Sequence, residues 1–547
     1  MRQFQPDRTS AAARVPDLRV VPPSQPAPAS ERTYWLAFVC IMGLAVLIRA
    51  GFVLGSDFPL NDGGLFFQMT RDLQAAGYAL PETASYNGGG IPFAYPPLGF
   101  YAAAALDDAT PLSLIDAFRF LPLAGSVAAL AAFVVLARGI LPTRTHVLVA
   151  VTAFSMLPAT FQWMIMGGGV TRSLGFAFAL LAIAQMNRMY ERPTLARALG
   201  AALLASAASL SHLEMGLVVA YSALVLFVAK GRTADGLRAT IITGGATLLL
   251  TAPWWVTIFA RHGIGTIVAA AQSGSPKPLQ PLFLLLQFHA TVEPYFPLLA
   301  ALALLGIASL LARREFLLPA WLLVTAFLDW RAFPTSASFL IAMLVACAVV
   351  DVMTPMLRHG WTSATGAASR GHGAPGWLLP SACALGLIYV TFSAVLTTPR
   401  LLTGMSADER SAMDWARTNL PASSRVVIVS GEFWPIDRTA EWFPALTGHV
   451  SVATVQGQEW IGDGAFARKA GEYDELQDCA LRDVTCLEAW ATDTGNTYDY
   501  VYIPKIPPRY AAPGVTDCCS SLLAFLAADD GYELLYDGPG AVIYRRK

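Results

Sequence analysis

Between residues 34 and 397 the chain alternates long apolar runs with short polar ones. The runs occupy 34–54, 116–137, 147–166, 171–187, 195–212, 214–230, 239–259, 295–312, 316–330, 336–354 and 377–397, about eleven in all, with 316–330 the shortest. A helix of about 20 apolar residues crosses a bilayer. The pattern therefore predicts a mainly α fold, a polytopic transmembrane helix bundle. Residues 1–33 have no such periodicity; prolines and arginines recur there, which predicts a disordered basic tail. The first run starts too far in and is too long for an ordinary cleaved signal peptide, so it reads as an uncleaved span.

Beyond residue 398 the pattern changes. A helix is predicted at 406–419, starting at Ser406 with Asp408 and Glu409 in its first turn. A strand over Arg425–Ser430 follows, then a helix near 438–446, a strand near 498–504, a helix near 517–528 and a hairpin near 532–545. Residues 399–547 thus read as one α/β domain, and 34–398 as the transmembrane domain, with a long first outer loop at 55–115. That loop holds two short amphipathic or apolar stretches, about 63–76 and 97–106, too short to span. They are expected to lie at the membrane interface.

Composition agrees with the pattern. Hydrophobic residues make up 55% of the 547 residues and charged residues 14%, too few to clothe a water-soluble surface. The net charge of -1 gives no bulk attraction for nucleic acid. Lysine and arginine set the orientation. With the N-terminus inside, the inside loops hold Arg138 and Arg144, then Arg188, Arg192 and Arg197, then Lys230, Arg232 and Arg238, then Arg313 and Arg314, then Arg358 and Arg370. Outside loops are sparser, and the odd span count places the C-terminus outside. Four cysteines, Cys479, Cys486, Cys518 and Cys519, lie in that outer domain, as an oxidising compartment permits. Cys479 pairs with Cys486, or each pairs with one of the other two; connectivity stays open at this stage.

Several polar residues gather at the outer membrane face. Asp62 lies in Pro59-Leu-Asn-Asp-Gly-Gly64, and Tyr95 in Ile91-Pro-Phe-Ala-Tyr-Pro-Pro-Leu98. Arg172 lies in Gly167-Gly-Gly-Val-Thr-Arg-Ser173, His212 and Glu214 in Ser211-His-Leu-Glu214, and Glu293 and Arg331 in later outer loops. Each has a plain reading: Asp62 as a helix cap, Arg172 as a headgroup anchor, the glycines as a turn. Together they offer chemistry. A carboxylate takes a proton from an incoming hydroxyl, a guanidinium holds a phosphate through parallel hydrogen bonds, and a span bundle accommodates a lipid tail. His212 and Glu214 alone are two ligands and do not make a metal site. Trp434, Trp442 and Trp460 offer faces for sugar rings or serve as core aromatics.

The layout resembles the membrane-embedded GT-C glycosyltransferases, most of all bacterial relatives of the protein O-mannosyltransferases and the lipid A aminoarabinose transferases. The resemblance rests on Asn61-Asp62-Gly63-Gly64, on Leu73-Gln-Ala-Ala-Gly-Tyr-Ala-Leu-Pro81, on Tyr95-Pro96-Pro97-Leu98, and on Ala440–Gly448 and Gly457–Trp460 of the outer domain. It implies a hexosyl- or pentosyltransferase that takes a sugar from a polyprenyl phosphate on the outer face. The acceptor would be a glycan, a lipid or a protein. The resemblance makes Asp62 the general base, and Arg172 is read with it as the donor-phosphate ligand. Tyr95, His212, Glu214, Glu293 and Arg331 are expected to contact substrate. Many relatives have Asp-Glu where this chain has Asp62-Gly63, so a second acid is missing; Glu214 and Glu293 are candidates for it. No cofactor is assigned, and a divalent metal is not favoured. The expected location is a bacterial cytoplasmic membrane, with the site facing out. Rival readings are a lipid-linked sugar flippase or transporter, and a non-catalytic receptor or assembly factor.

Overall fold

A computed structural model describes residues 31–273, 279–293, 295–357, 378–397, 401–506 and 518–547. The predicted basic tail lies almost wholly outside the described residues. Among the described residues, six helices are long and apolar enough to cross a membrane: α1 (Glu31–Leu54), α4 (Leu114–Ile140), α6 (Gly169–Glu191), α8 (Leu213–Lys230), α9 (Ala234–Gln272), and the helix starting at Ser338 that runs to Leu357. Shorter apolar helices are α7 (Leu195–Ser211), α11 (Leu298–Ala312), α12 (Leu317–Leu328) and a segment at Ser381–Leu396. The chain is a multi-pass membrane protein. One predicted span is cut short. The 147–166 run forms only α5 (Arg144–Met156), then a 3-10 turn at Pro158–Thr160. A residue before proline is pushed out of the helical region, and Leu157 is extended there. The chain then turns and delivers Trp163 and the glycine triplet to the start of α6.

Arg49 sits fully buried inside α1. It donates to Ser126 Oγ at 3.2 Å, Thr160 Oγ1 at 3.1 Å and the Ser155 carbonyl at 3.0 Å. Its guanidinium also lies over the Phe161 ring. A charge in a bundle needs such partners. Here they tie α1 to α4 and to the turn after α5. The two ends of the bundle differ in their ion pairs. Arg144 faces Glu31, and His146 and Arg313 share Asp351, at one end. At the other, Asp57 beyond α1 pairs with Arg410 of the C-terminal domain.

The C-terminal domain is built on a five-stranded sheet of order β4-β3-β5-β7-β6. β3 (Arg425–Ile428) runs parallel to β4 (Val450–Ser451) and β5 (Tyr500–Pro504); β7 (Ala541–Arg546) is antiparallel to β5 and to β6 (Tyr532–Asp537). The helix at Ala407–Asn419 begins on a full capping box between Ser406 and Glu409, as its sequence indicates. Helices at Ala465–Asp478 and Val484–Thr494 have no counterpart in the sequence reading.

The first outer loop is where the fold departs most from expectation. α2 (Gly64–Ala75) and α3 (Leu98–Ala109) form at the predicted places, and their apolar faces pack against protein. Leu65, Phe66, Phe67, Met69 and Leu73 of α2 and Phe100 of α3 share one buried cluster with Val427, Trp442, Phe443, Tyr502 and Ile543. The apolar face of α2 therefore completes the core of the C-terminal domain. Trp442, fully buried, fixes the junction. Its ring packs against Phe58 and Phe67, and its Nε1 donates to the Asn61 carbonyl at 2.9 Å. Trp460 is buried as well, so both tryptophans are core aromatics and not sugar platforms.

Cys479 is bonded to Cys486, seven residues on, and Cys518 to Cys519, which leaves Cys40, Cys347 and Cys383 as free thiols. Alkylation under denaturing, non-reducing conditions is expected to modify those three cysteines, with all seven reacting only after reduction. Modification of Cys479 or Cys486 without reductant would contradict the pairing.

Candidate active site

The site is assembled where three segments meet: the loop after α1, the start of α6, and the helix at Arg438–Thr447. Asp62 does not cap α2, whose N-cap is Gly63. Its carboxylate turns the other way. Oδ1 accepts from the Gly168 N–H at 3.0 Å, at the N-terminus of α6. Oδ2 accepts from Arg172 Nη2 at 2.5 Å. An anion there gains from the free N–H groups and the positive end of the helix. Arg172 is itself braced: Nη1 donates to the Trp163 carbonyl at 3.2 Å, and the guanidinium lies 5.5 Å from the Trp163 ring centre.

Close backbone approach makes this geometry depend on glycine. A Cβ on Gly168 would stand 2.5 Å from Asp62 Oδ2, and one on Gly167 would stand 2.1 Å from the Asp62 carbonyl oxygen. The glycine triplet is therefore a contact surface for the Asp62 loop. The same holds at Gly64, where a Cβ would meet the Glu441 carbonyl oxygen at 2.4 Å.

Glu441 is the residue that sequence reading missed. Its Oε1 accepts from the Gly63 N–H at 2.9 Å, and its own carbonyl accepts from the Tyr86 hydroxyl at 2.6 Å. Burial and then the neighbouring Asp62 charge push its carboxyl up to about 8. A second acid, Glu459, accepts a hydrogen bond from Tyr95. Burial pushes Glu459 up to about 7. The Tyr95 ring lies edge-on to Trp460 and Phe66. Both acids sit in the segments Ala440–Gly448 and Gly457–Trp460. The signal that could have found them is an acid wedged among aromatic residues, which implies a buried carboxyl.

A second polar group faces the first. His212 closes α7 and opens α8, with Glu214 in the first turn of α8. Arg172 and Arg331 both act electrostatically on His212 and on Glu214, and Asp329 acts on Glu214. Asp329 is buried and accepts from Ser336 Oγ at 2.5 Å; sequence reading did not select it. Arg331 is exposed and donates to Ser273 Oγ at 2.8 Å and the Ala270 carbonyl at 3.3 Å. His212 Nδ1 and Gln162 Nε2 are buried without a hydrogen-bond partner among the described residues. Glu293 is employed elsewhere: it caps α11, accepting from the Leu299 and Ala300 N–H groups at 3.0 and 3.3 Å. Of the predicted residues, then, Asp62 and Arg172 are in contact, and Tyr95, His212, Glu214 and Arg331 stand on the surrounding elements. Among the described residues no three His, Cys, Asp or Glu side chains converge as a metal cluster. The Asp62 oxygens already have an arginine and a backbone N–H. The donor set around Asp62 does not fit a metal.

The two raised carboxyls set a pH dependence. A buried acid whose folded value lies above its unfolded value binds more protons folded than unfolded in that window. Stability is therefore full below the unfolded value near 4.5 and falls as pH rises through about 7 and 8. The unfolding temperature of the wild type in detergent is expected to drop between pH 5 and 8, with a shallower slope in Glu441→Gln and Glu459→Gln. Parallel slopes in all three proteins would refute the assignment.

No protein-family model matches the sequence, and no curated protein matches it. Solved structures do resemble the fold. The oligosaccharyltransferase of Archaeoglobus fulgidus in its apo form superposes with a TM-score of 0.52 at 13% identity, covering 87% of this chain and 70% of the other. ArnT of Cupriavidus metallidurans bound to undecaprenyl phosphate gives 0.51 at 13% identity, covering 94% and 98%. The mycobacterial arabinofuranosyltransferase AftD gives 0.52 at 14% identity, covering 95% of this chain and 40% of the larger protein. By these likenesses and its apolar helices, the chain is a multi-pass membrane protein with the fold of the GT-C glycosyltransferases.

Proposed function

We propose that the chain is an integral-membrane glycosyltransferase that moves a pentose or hexose from a polyprenyl-phosphate donor to an acceptor hydroxyl on a glycan, lipid or protein. The observation that carries this reading is the Asp62 carboxylate, held by Arg172 and the Gly168 N–H at the mouth of the bundle. ArnT, solved with undecaprenyl phosphate, supports a lipid-phosphate donor. The oligosaccharyltransferase solved with a tethered acceptor peptide supports a separate acceptor molecule.

On this reading Asp62 accepts the acceptor's hydroxyl proton as the acceptor oxygen bonds to the anomeric carbon. The bond from that carbon to the phosphate oxygen breaks, and its electron pair stays on the phosphate. The leaving phosphate needs positive charge. Arg331, exposed beside the His212–Glu214 turn, supplies it. Arg172 shares that role, since one of its nitrogens is committed to Asp62. His212, with an unused ring nitrogen, and Glu214 orient the sugar, and Tyr95 shapes the wall toward the C-terminal domain. The site and that domain would face the outside of a bacterial cytoplasmic membrane.

Purified protein in lipid nanodiscs with radiolabelled polyprenyl-phosphate pentoses and hexoses tests the reading. Asp62→Asn is expected to lower kcat by roughly 100- to 10,000-fold, the span of a positioned general base. Arg331→Ala is expected to raise KM for the donor by about tenfold or more, as loss of a charge-assisted contact would. Full transfer by Asp62→Asn would remove the base; an unchanged donor KM in Arg331→Ala would remove the phosphate ligand.

A further inference from the structure

The C-terminal domain does more than cover the site. It inserts a carboxyl side chain beside Asp62, from a position 378 residues beyond Gly63. We infer that Glu441 is a positioning residue of the reaction, the site's second acid, which holds the Asn61–Gly64 loop so that Asp62 faces the reacting atoms. The inference rests on the role proposed for Asp62.

Four observations carry it. Glu441 Oε1 accepts from the Gly63 N–H at 2.9 Å, next to the peptide of Asp62 itself. Trp442 Nε1 holds the Asn61 carbonyl at 2.9 Å, so the loop is gripped on either side of Asp62. Gly64 lies against the Glu441 backbone too closely for a side chain. Asn61 has a positive φ of 53°, uncommon for a residue with a side chain, and Gly63, at φ 130°, takes a turn that glycine alone adopts readily. A clamp of packing alone would be served by an apolar residue. An acid was placed here in a buried position, at a cost in desolvation.

Charge balance explains which form of the acid fits. Facing Glu441 are Asp62 on the loop, Arg172 on α6, the Tyr86 hydroxyl on its own carbonyl, and Gln456 Nε2 at 3.4 Å from Oε2. Asp437 and Glu459 stand near Tyr86. Arg172 is paired with Asp62, so a second negative charge would be uncompensated. Neutral Glu441 keeps a carbonyl oxygen toward Gly63 and leaves Arg172 to Asp62. Ionised Glu441 would compete for Arg172 and loosen Asp62. A neutral second acid thus lets Asp62 alone be the base near neutral pH and switches the site off at higher pH.

The test compares full-length wild type, Glu441→Gln and Glu441→Ala in nanodiscs, using the polyprenyl-phosphate sugar that wild type turns over best. An amide oxygen still accepts from Gly63 but cannot ionise. Glu441→Gln is expected to recover about a third of wild-type kcat at pH 7 and to lack the wild-type decline above pH 8. Glu441→Ala is expected to lose kcat about 100-fold with donor KM within twofold. Hydrogen–deuterium exchange over residues 58–70 adds a readout free of turnover: faster in Glu441→Ala, near wild type in Glu441→Gln. Wild-type kcat in Glu441→Ala overturns the inference, as does an alkaline decline retained by Glu441→Gln. If wild type turns over no sugar, the transferase reading fails, and exchange alone decides the clamp; unchanged exchange in Glu441→Ala overturns it.

Discussion

The ion pair between Asp62 and Arg172 is the constraint around which the molecule is arranged. For the two groups to meet, the loop after α1 must lie on the first turn of α6, and only glycine leaves room for that approach. α5 must end early to bring Trp163 beneath the guanidinium, and Pro158 ends it. The loop must also hold two left-handed residues in a row of four, which is done by the Glu441–Trp442 step of the C-terminal domain. Domain, loop and bundle are thereby parts of one site.

This arrangement explains why the domain cannot be treated as an accessory. Its sheet alone does not close its core; α2 and α3 from the first outer loop supply a wall of aromatic side chains. α9 adds a further contact. Its helical geometry breaks at Gly263, where φ is 73°, and on the stretch before that break Trp254 and Ile258 reach Trp460 of the domain. Two elements of the membrane region therefore grip the domain from different sides. Such contacts favour a fixed relation between the domain and the bundle.

Much of this was legible in sequence, for identifiable reasons. The spans show as apolar runs, and the Ser406–Glu409 capping box announces its helix. Asp62 and Arg172 stand out because each is a charge in a short polar turn between apolar runs. What was illegible is what depends on distant pairing. Glu441 meets a backbone N–H, which has no signature in sequence. Asp329 looks like any acid at a helix end. The apolar face of α2 reads equally as a lipid-facing or a protein-facing surface, since both are apolar. Glu293 was selected as an acid in an outer loop, yet its oxygens serve the N-terminus of α11. The helix at Ala465–Asp478 was hidden by its charges, with only Ala465, Tyr473 and Leu476 buried.

The 378 residues that separate Gly63 from Glu441 also set an order in time. At about 5–20 residues per second, roughly 20–75 seconds of synthesis pass between the two ends of that hydrogen bond. During this interval the bundle can insert span by span while the Asp62 loop, with α2 and α3, has no partner to fold upon. The nascent protein is thus a membrane bundle with an unfinished mouth. Its apolar first loop stays a client for chaperones or the lipid surface until the last quarter of the chain emerges. Synthesis of the C-terminal domain therefore completes the support of the Asp62 loop, and a product truncated before residue 399 lacks the Glu441 and Trp442 contacts that hold it.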